Sequence, residues 1–215
     1  MMAEGYTFSG RSTVSPDQLW YGDLIYDDLN GNRNYGDSND MNFTGRSSLP
    51  RYNFGLNISL AYKGVDFYML WAGCAGFDIY WHNEIYNGVR VKNGYGISRR
   101  VADDHYFYDY QNPSDPRTNI NATYPRLSID SERDNSAMSE FWAYKGDYLK
   151  LKNIQVGYTL PSKISKKAAI SKLRLYLSAE NLLTITSYPG LDPEIGSAVT
   201  YPLTRQYTIG LNLTF

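Results

Sequence analysis

From Gln206 to Phe215 apolar and polar residues alternate without a break: Tyr207, Ile209, Leu211, Leu213 and Phe215 stand against Gln206, Thr208, Gly210, Asn212 and Thr214. Successive side chains of a strand point to opposite faces, so the pattern predicts a strand with two chemically different faces. Residues 51–62 repeat it, with Tyr52, Phe54, Leu56, Ile58, Leu60 and Tyr62 against Arg51, Asn53, Gly55, Asn57, Ser59 and Ala61. At about 3.3 Å of rise per residue, such runs match the roughly 9–11 residues a tilted strand needs to cross a bilayer. Three more segments behave alike: Val65, Phe67, Met69 and Trp71; Ile154, Val156, Tyr158 and Leu160; and Leu173, Leu175, Leu177 and Ala179. Leu149 and Leu151 lie on the opposite phase to Ile154 and Val156, which predicts a bulge near Lys152-Asn153. A sixth strand is placed over about 19–26.

The connections between these strands are unequal. A tight Lys63-Gly64 turn joins 51–62 to 65–73, and Pro161 to Lys172, with room for one short helix, joins 149–160 to 173–183. Both turns fall on one side. On the other side lie the long connections 74–146 and 184–204, preceded by a loop-like stretch over 1–50. Soluble sandwiches spread loop length over both ends, whereas outer-membrane barrels keep short turns on one side and long loops on the other. If the C-terminus is periplasmic, every long loop faces outward.

Composition narrows the classes. The chain has 215 residues and a net charge of -1 with Lys and Arg scattered, which leaves no electrostatic footprint for nucleic acid. Its 21 tyrosines and 18 glycines suit interfacial aromatic girdles and also sugar-binding surfaces. The single cysteine, Cys74, excludes an intrachain disulfide. No apolar run is long enough for a transmembrane helix, which does not exclude a barrel. Met1-Met2-Ala3-Glu4-Gly5 carries no secretory signal, so an exported protein with this start is expected to be a truncated chain.

With these elements placed, the chain resembles the C-terminal portion of the SusC/RagA-type TonB-dependent outer-membrane transporters of Bacteroidetes. The resemblance rests on Gly22-Asp23-Leu24-Ile25-Tyr26 and Asp28-Leu29-Asn30-Gly31, then Pro50-Arg51-Tyr52-Asn53-Phe54-Gly55 leading to Tyr62-Lys63-Gly64-Val65-Asp66. It continues in Tyr148-Leu149-Lys150-Leu151-Lys152-Asn153, Gly157-Tyr158-Thr159-Leu160-Pro161, Leu173-Arg174-Leu175-Tyr176 and Glu180-Asn181-Leu182-Leu183-Thr184. Tyr188-Pro189-Gly190-Leu191-Asp192-Pro193-Glu194 and the ending Gly210-Leu211-Asn212-Leu213-Thr214-Phe215 complete it. Each piece alone is weak; in this order and spacing the set is specific. The resemblance implies an all-β fold, the C-terminal antiparallel strands of a transmembrane β-barrel of about 22 strands when complete, with long extracellular loops. Residues 1–50 are then a loop with an edge strand, 51–75 a hairpin, 76–145 a long outer loop and 146–215 the last three strands. It further implies uptake of glycans or peptides at the outer membrane of a Gram-negative bacterium, together with a SusD-like surface lipoprotein. Energy would come from the TonB complex through an N-terminal part that this sequence lacks, and the rest of the barrel and outer-membrane lipid would cover the remaining surfaces.

Several residues are candidates for chemistry. Asp28, Asn30, Asn32 and Asn34 alternate like the oxygen ligands of a calcium loop, with Asp37, Asn39 and Asp40 beyond them. Asn32 and Arg33 replace the acidic residue and the glycine that such a loop favours, so a solvated Asn/Gly turn is the competing reading, and Ca2+ is the one cofactor considered. His82 and His105 have no third ligand or nucleophile near them in sequence. In the long loop Tyr80, Trp81, Tyr106 and Tyr108 are candidates to stack on a ligand or to pack the loop on itself. Phe215, a terminal aromatic on an alternating strand, resembles the signal read by barrel-insertion machinery and equally suits an interfacial girdle. The main alternative function is a secreted or surface β-sandwich that binds carbohydrate, since a sandwich strand alternates in the same way. No spacing pairs carboxylates, a nucleophile and base, or metal ligands, so no enzyme is expected.

Overall fold

Lys63 and Gly64 both adopt positive φ, 48° and 87°. That combination is the type I′ turn, whose twist matches that of the strands it joins and which fixes their register through a two-residue loop. The computed structural model describes residues 7–8, 21–81, 96–127, 135, 139–165, 167, 169–198 and 200–215. In chain order the elements are β1 (Thr7–Phe8), β2 (Asn34–Tyr35), β3 (Tyr52–Tyr62), β4 (Val65–Ala75), β5 (Asp78–Tyr80) and a short helix α1 (Arg99–Asp103). A 3-10 turn at Glu140–Trp142 then leads to β6 (Ala143–Lys145), β7 (Tyr148–Thr159), helix α2 (Ser162–Ser165), β8 (Lys172–Thr186) and β9 (Gln206–Thr214).

The chain divides into two units. One contains Ser47–Ile79, Tyr144–Gly196 and Thr200–Phe215, the other Met1–Arg46, Tyr80–Ala143 and Ser197–Val199. The first unit holds an antiparallel sheet in the order β3-β4-β7-β8-β9. All five long strands expected from alternation are present, and α2 occupies the connection where a short helix was allowed.

Register explains the alternation. Leu60, Phe67, Val156, Leu177 and Ile209 pair in succession across the five strands, forming one apolar row. The adjacent row, Ser59, Tyr68, Gln155, Ser178 and Thr208, points the opposite way and carries a hydroxyl or amide at every position. A one-residue slip would exchange the faces, so the pattern specifies the register. The expected bulge is also present: Leu70 pairs with Asn153 but Trp71 with Leu151, leaving Lys152 extra. The same shift recurs towards β8, where Asn181 has φ 51°. By resetting the phase, the bulge keeps Leu151 and Ile154 on the apolar face although they are an odd number of residues apart.

One polar-face contact crosses three strands. Arg174 on β8 donates from Nε to Asp66 Oδ2 on β4 at 2.8 Å, and its Nη2 bonds Asp66 Oδ1. Gly157 of β7 lies beneath, and a Cβ built there would fall 2.6 Å from Asp66 Oδ2. Only a residue without a side chain leaves room. We expect Gly157→Val to part the ion pair and cost about 1–3 kcal/mol, as overpacking does elsewhere. Urea unfolding of the complete protein in lipid, compared with wild type, measures it.

The other unit is built differently. Its buried apolar side chains include Trp81, Val101, Tyr124 and Trp142. Trp142 stacks on Tyr124 with ring centroids 6.1 Å apart, and Trp81 meets both rings edge-on. A parallel pair, β1 with β2, lies here, whereas most of the short β5–β6 pair belongs to the sheet unit. The strand expected over 19–26 is not found over its described part, 21–26. Gly22 turns the chain at φ 85°, Gly22 O accepts from Arg126 N at 3.0 Å, and Leu24 N donates to Asn135 Oδ1 at 2.7 Å. Backbone groups that a strand would commit to a ladder are taken by a loop and a side chain instead.

Candidate functional site

The first candidate surface is the apolar face of the sheet. Ile209 is 84% exposed, and Leu56, Leu60, Val156, Leu175, Leu177 and Leu211 are exposed too, so among the described residues no second layer of the unit packs on them. Soluble proteins rarely leave so contiguous an apolar face open to water, whereas a bilayer accepts it. Tyr52 and Tyr62 stand at opposite ends of this face on β3, where the interfaces of a membrane would fall. An 11-residue strand such as β3, at about 3.3 Å per residue and a tilt near 45°, covers about 25 Å, the height of the lipid-facing band of a barrel. Among the described residues no helix is long and apolar enough to cross a membrane.

The opposite face is polar, and a cluster of charges gathers where the long connections leave it. Lys150 is only 1% exposed, yet its Nζ donates to both carboxylate oxygens of Asp192 at 2.7 and 2.6 Å and to Glu194 Oε2 at 2.8 Å. Lys152 Nζ also bonds Glu194 Oε2, at 2.7 Å, and Tyr148 Oη donates to Glu194 Oε1 at 3.2 Å. Burial pushes the Glu194 carboxyl up, but the hydrogen bonds and charges of Lys150 and Lys152 outweigh it and hold it below the usual range. Cys74 Sγ, beside Tyr148 Oη at 3.3 Å, donates to Asn53 Oδ1 at 2.9 Å. No role was expected for Lys150, Asp192 or Glu194 from sequence. Two lysines at alternate positions and two acids around Pro193 were visible, but not that one loop folds back onto the strand.

The second candidate surface lies in the loop unit, a cleft of about 350 Å3 lined by Tyr21, His105, Tyr106, Phe107, Tyr108, Arg126 and Leu127. Its floor is braced: Tyr106 N donates to Tyr124 O at 2.9 Å, and Phe107 and Asn119 exchange backbone bonds at 3.2 and 2.8 Å. Arg126 grips Asp23 with Nε and Nη2 at 2.6 and 3.0 Å, and Asn135 Nδ2 donates to the same carboxylate at 2.8 Å. His105 Nδ1 lies 2.8 Å from Ala102 O. A carbonyl can only accept, so Nδ1 carries a proton and neutral His105 presents Nε2 as an acceptor. With its cation paired, the cleft offers aromatic surfaces and neutral polar tips.

The expected aromatics therefore separate. Tyr106 and Tyr108 meet at the cleft; Tyr80 is half-buried at the end of β5; Trp81 is 1% exposed and packs the loop on itself. His82 lies outside the described residues. Asp28 accepts backbone N–H bonds from Gly31, Asn32 and Arg33 at 2.7, 3.2 and 2.7 Å, and Asn30 Oδ1 accepts from Asn32 N at 2.9 Å. Asn32 Nδ2 donates to Asp37 Oδ2 at 2.8 Å, while Asn34 falls in β2. These bonds shape the turn by themselves. Among the described residues no group of three or more His, Cys, Asp or Glu gathers in a metal-holding arrangement. Phe215 follows β9 on the side of Leu213 and is 84% exposed.

Beside the cleft, Arg117 lies over the Phe107 ring at 4.7 Å and donates to Asp115 from Nε and Nη2 at 3.0 and 2.8 Å. The Arg117 side chain, then its backbone N–H, lower the Asp115 carboxyl to about 2. Its folded value is below its unfolded one, so the stabilisation is present above about pH 4 and lost as pH falls towards 2. Amide exchange of residues 109–119 is expected to stay constant from pH 7 to about 4, after correction for intrinsic rates, and to quicken below that.

Comparison with known proteins gives a consistent picture. TonB-dependent receptor P3 of Formosa agariphila is 33% identical over 221 aligned residues, covering 96% of this chain and 20% of the relative. TonB-dependent receptor SusC of Bacteroides thetaiotaomicron is 28% identical over 103 residues, 46% of this chain and 10% of the relative. Among solved structures, the RagAB peptide importer in its open-open state aligns with TM-score 0.62 and 23% identity, over 90% of this chain and 21% of that one. The chain thus spans about a fifth of the length of the curated relative P3. No family model matches.

Proposed function

Because the chain belongs with the SusC/RagA-type TonB-dependent receptors, as a portion of their length, we propose that it forms part of the wall and loops of an outer-membrane transporter. The observation that carries this reading is the pair of adjacent rows across five strands, one wholly apolar and exposed at every position but Phe67, the other bearing a polar group at every position. The apolar face meets lipid and the polar face lines the passage. The short turns face the periplasm and the long loops face outward. Strands from the rest of the barrel pair with the two sheet edges, whose backbone groups would each cost several kcal/mol if left bare in lipid.

The complete protein takes up an oligosaccharide or a peptide with a SusD-like lipoprotein over its loops, and is energised through TonB. The open apolar face argues against the β-sandwich alternative, in which that face would pack on a second sheet. Expressed whole, the protein is expected in the outer membrane, resistant to extraction by high salt, and shifted in gel mobility on heating as folded barrels are. Recovery as a soluble monomer overturns the proposal.

The cleft is the proposed ligand-contact surface, with Tyr106 and Tyr108 as stacking faces. Tyr108→Ala is expected to weaken binding by about 0.5–1.5 kcal/mol, about two- to twelvefold. Titration of the purified transporter with a panel of oligosaccharides and peptides measures it, and an unchanged affinity for every binder removes Tyr108 from the surface.

A further inference from the structure

Lys150 sits near the start of β7, on its polar face, where Ala72 and Thr184 pair with it, and a lysine at such a place would ordinarily reach into solvent. Here it is covered, and the cover is the β8–β9 connection folded back over the sheet. That connection is tied to itself as well as to the strand. Ile195 N and Gly196 N both donate to Asp192 O at 3.1 Å, Glu194 N donates to Asp192 Oδ1 at 2.9 Å, and Tyr188 Oη donates to Gly196 O at 3.0 Å. Thr186 Oγ1 donates to Asp147 O at 2.8 Å where the loop leaves β8. Tyr188 and Asp192 are buried. A pre-shaped loop of this kind carries two carboxylates to one buried ammonium and one neighbouring lysine, so the cluster is charge-balanced.

We propose that Lys150 is a positioning residue that holds residues 187–196 against the polar face as a fixed lining of the passage, narrowing it at the long-loop end. This rests on the reading of the polar face as the passage wall. A loop pinned by a buried, multiply bonded ammonium differs from a mobile lid: its opening requires the ammonium to lose its partners while still desolvated, or water to enter first. The bulge at Lys152 serves the same end, since it brings Lys152 beside Lys150 at Glu194 without taking Ile154 and Val156 off the apolar face.

The test uses the complete transporter in detergent, with two readouts. Hydrogen exchange of amides in 187–196 is expected to be slow in wild type and in Lys150→Arg, which restores the charge, and about tenfold faster or more in Lys150→Met, with β3, β4 and β9 unchanged. Cys74, beside Tyr148 and so at the edge of the cluster, is the second reporter. Its labelling by a membrane-impermeant maleimide, located by peptide mass spectrometry, should quicken in Lys150→Met and in the isosteric Asp192→Asn. Should Lys150→Met not assemble, Asp192→Asn carries the test from outside the strands. Equal exchange and equal labelling in wild type and the assembled variants overturn the proposal. A protein that never enters the membrane overturns the transporter reading instead, and the two failures are thus told apart.

Discussion

Leu177→Arg is expected to cost about 2–4 kcal/mol of stability in a bilayer, the depth-dependent penalty for a cation on the lipid face of a barrel. Leu177 lies between Val156 and Ile209 in the apolar row and is exposed. Ser178→Arg, one position along, is the control: it joins Gln155 and Thr208 on the polar face and should be tolerated within about 0.5 kcal/mol, as surface changes usually are. Both substitutions add the same charge to the same strand, so only the face distinguishes them. Refolding of the complete barrel into lipid vesicles over a urea series gives the two values. Equal penalties would mean that the two faces see the same medium, and the membrane assignment would fall.

Trp142→Ala should be the most damaging change in the loop unit, about 3–5 kcal/mol. The indole is fully buried, stacks on Tyr124, and donates from Nε1 to Asn135 O at 2.8 Å. Its loss also removes one of the bonds that hold Asn135, whose side chain joins Leu24 N to the Asp23–Arg126 pair at the cleft. Proteolysis of the intact protein is expected to cut within residues 96–127 while the heat-shifted gel mobility of the barrel is retained. Phe141→Ala, at an exposed ring packed edge-on against Trp142 at 4.7 Å, should be much milder.

The two kinds of structure differed in how openly the sequence displayed them. A two-faced strand writes its environment into every second residue, so β3, β4, β7, β8 and β9, their faces and the Lys152 bulge could be read from local pattern. Strand ends were less legible: β4 runs on to Ala75 and β8 to Thr186, past the point where alternation fades into Gly73 and Asn181. The loop unit offered no period. Trp81 and Tyr108 stand in the same aromatic-rich stretch, yet one is core and the other lines a cleft, a difference set by Trp142 and Tyr124 far along the chain. The 19–26 stretch misled because it is rich in strand-forming apolar residues, Leu19-Trp20-Tyr21 and Leu24-Ile25-Tyr26, while Gly22 and the side chain of Asn135 claimed its backbone. The Lys150 cluster joins residues more than forty positions apart and became visible only with the fold of the loop.

The Asp66–Arg174 tie has a bearing on assembly. Hairpin β3–β4 has its offset set by its own tight turn, and β7–β8 by a short connection, but β4 and β7 are separated by residues 76–147 and no turn dictates how they align. A bond from β4 to β8 over Gly157 forms only when both intervening pairings are in their final positions, because displacement of either moves Arg174 away from Asp66 by at least one strand step of about 3.3 Å. The ion pair therefore acts as an alignment key between the two hairpins, reporting on a long-range choice that neither hairpin can make alone.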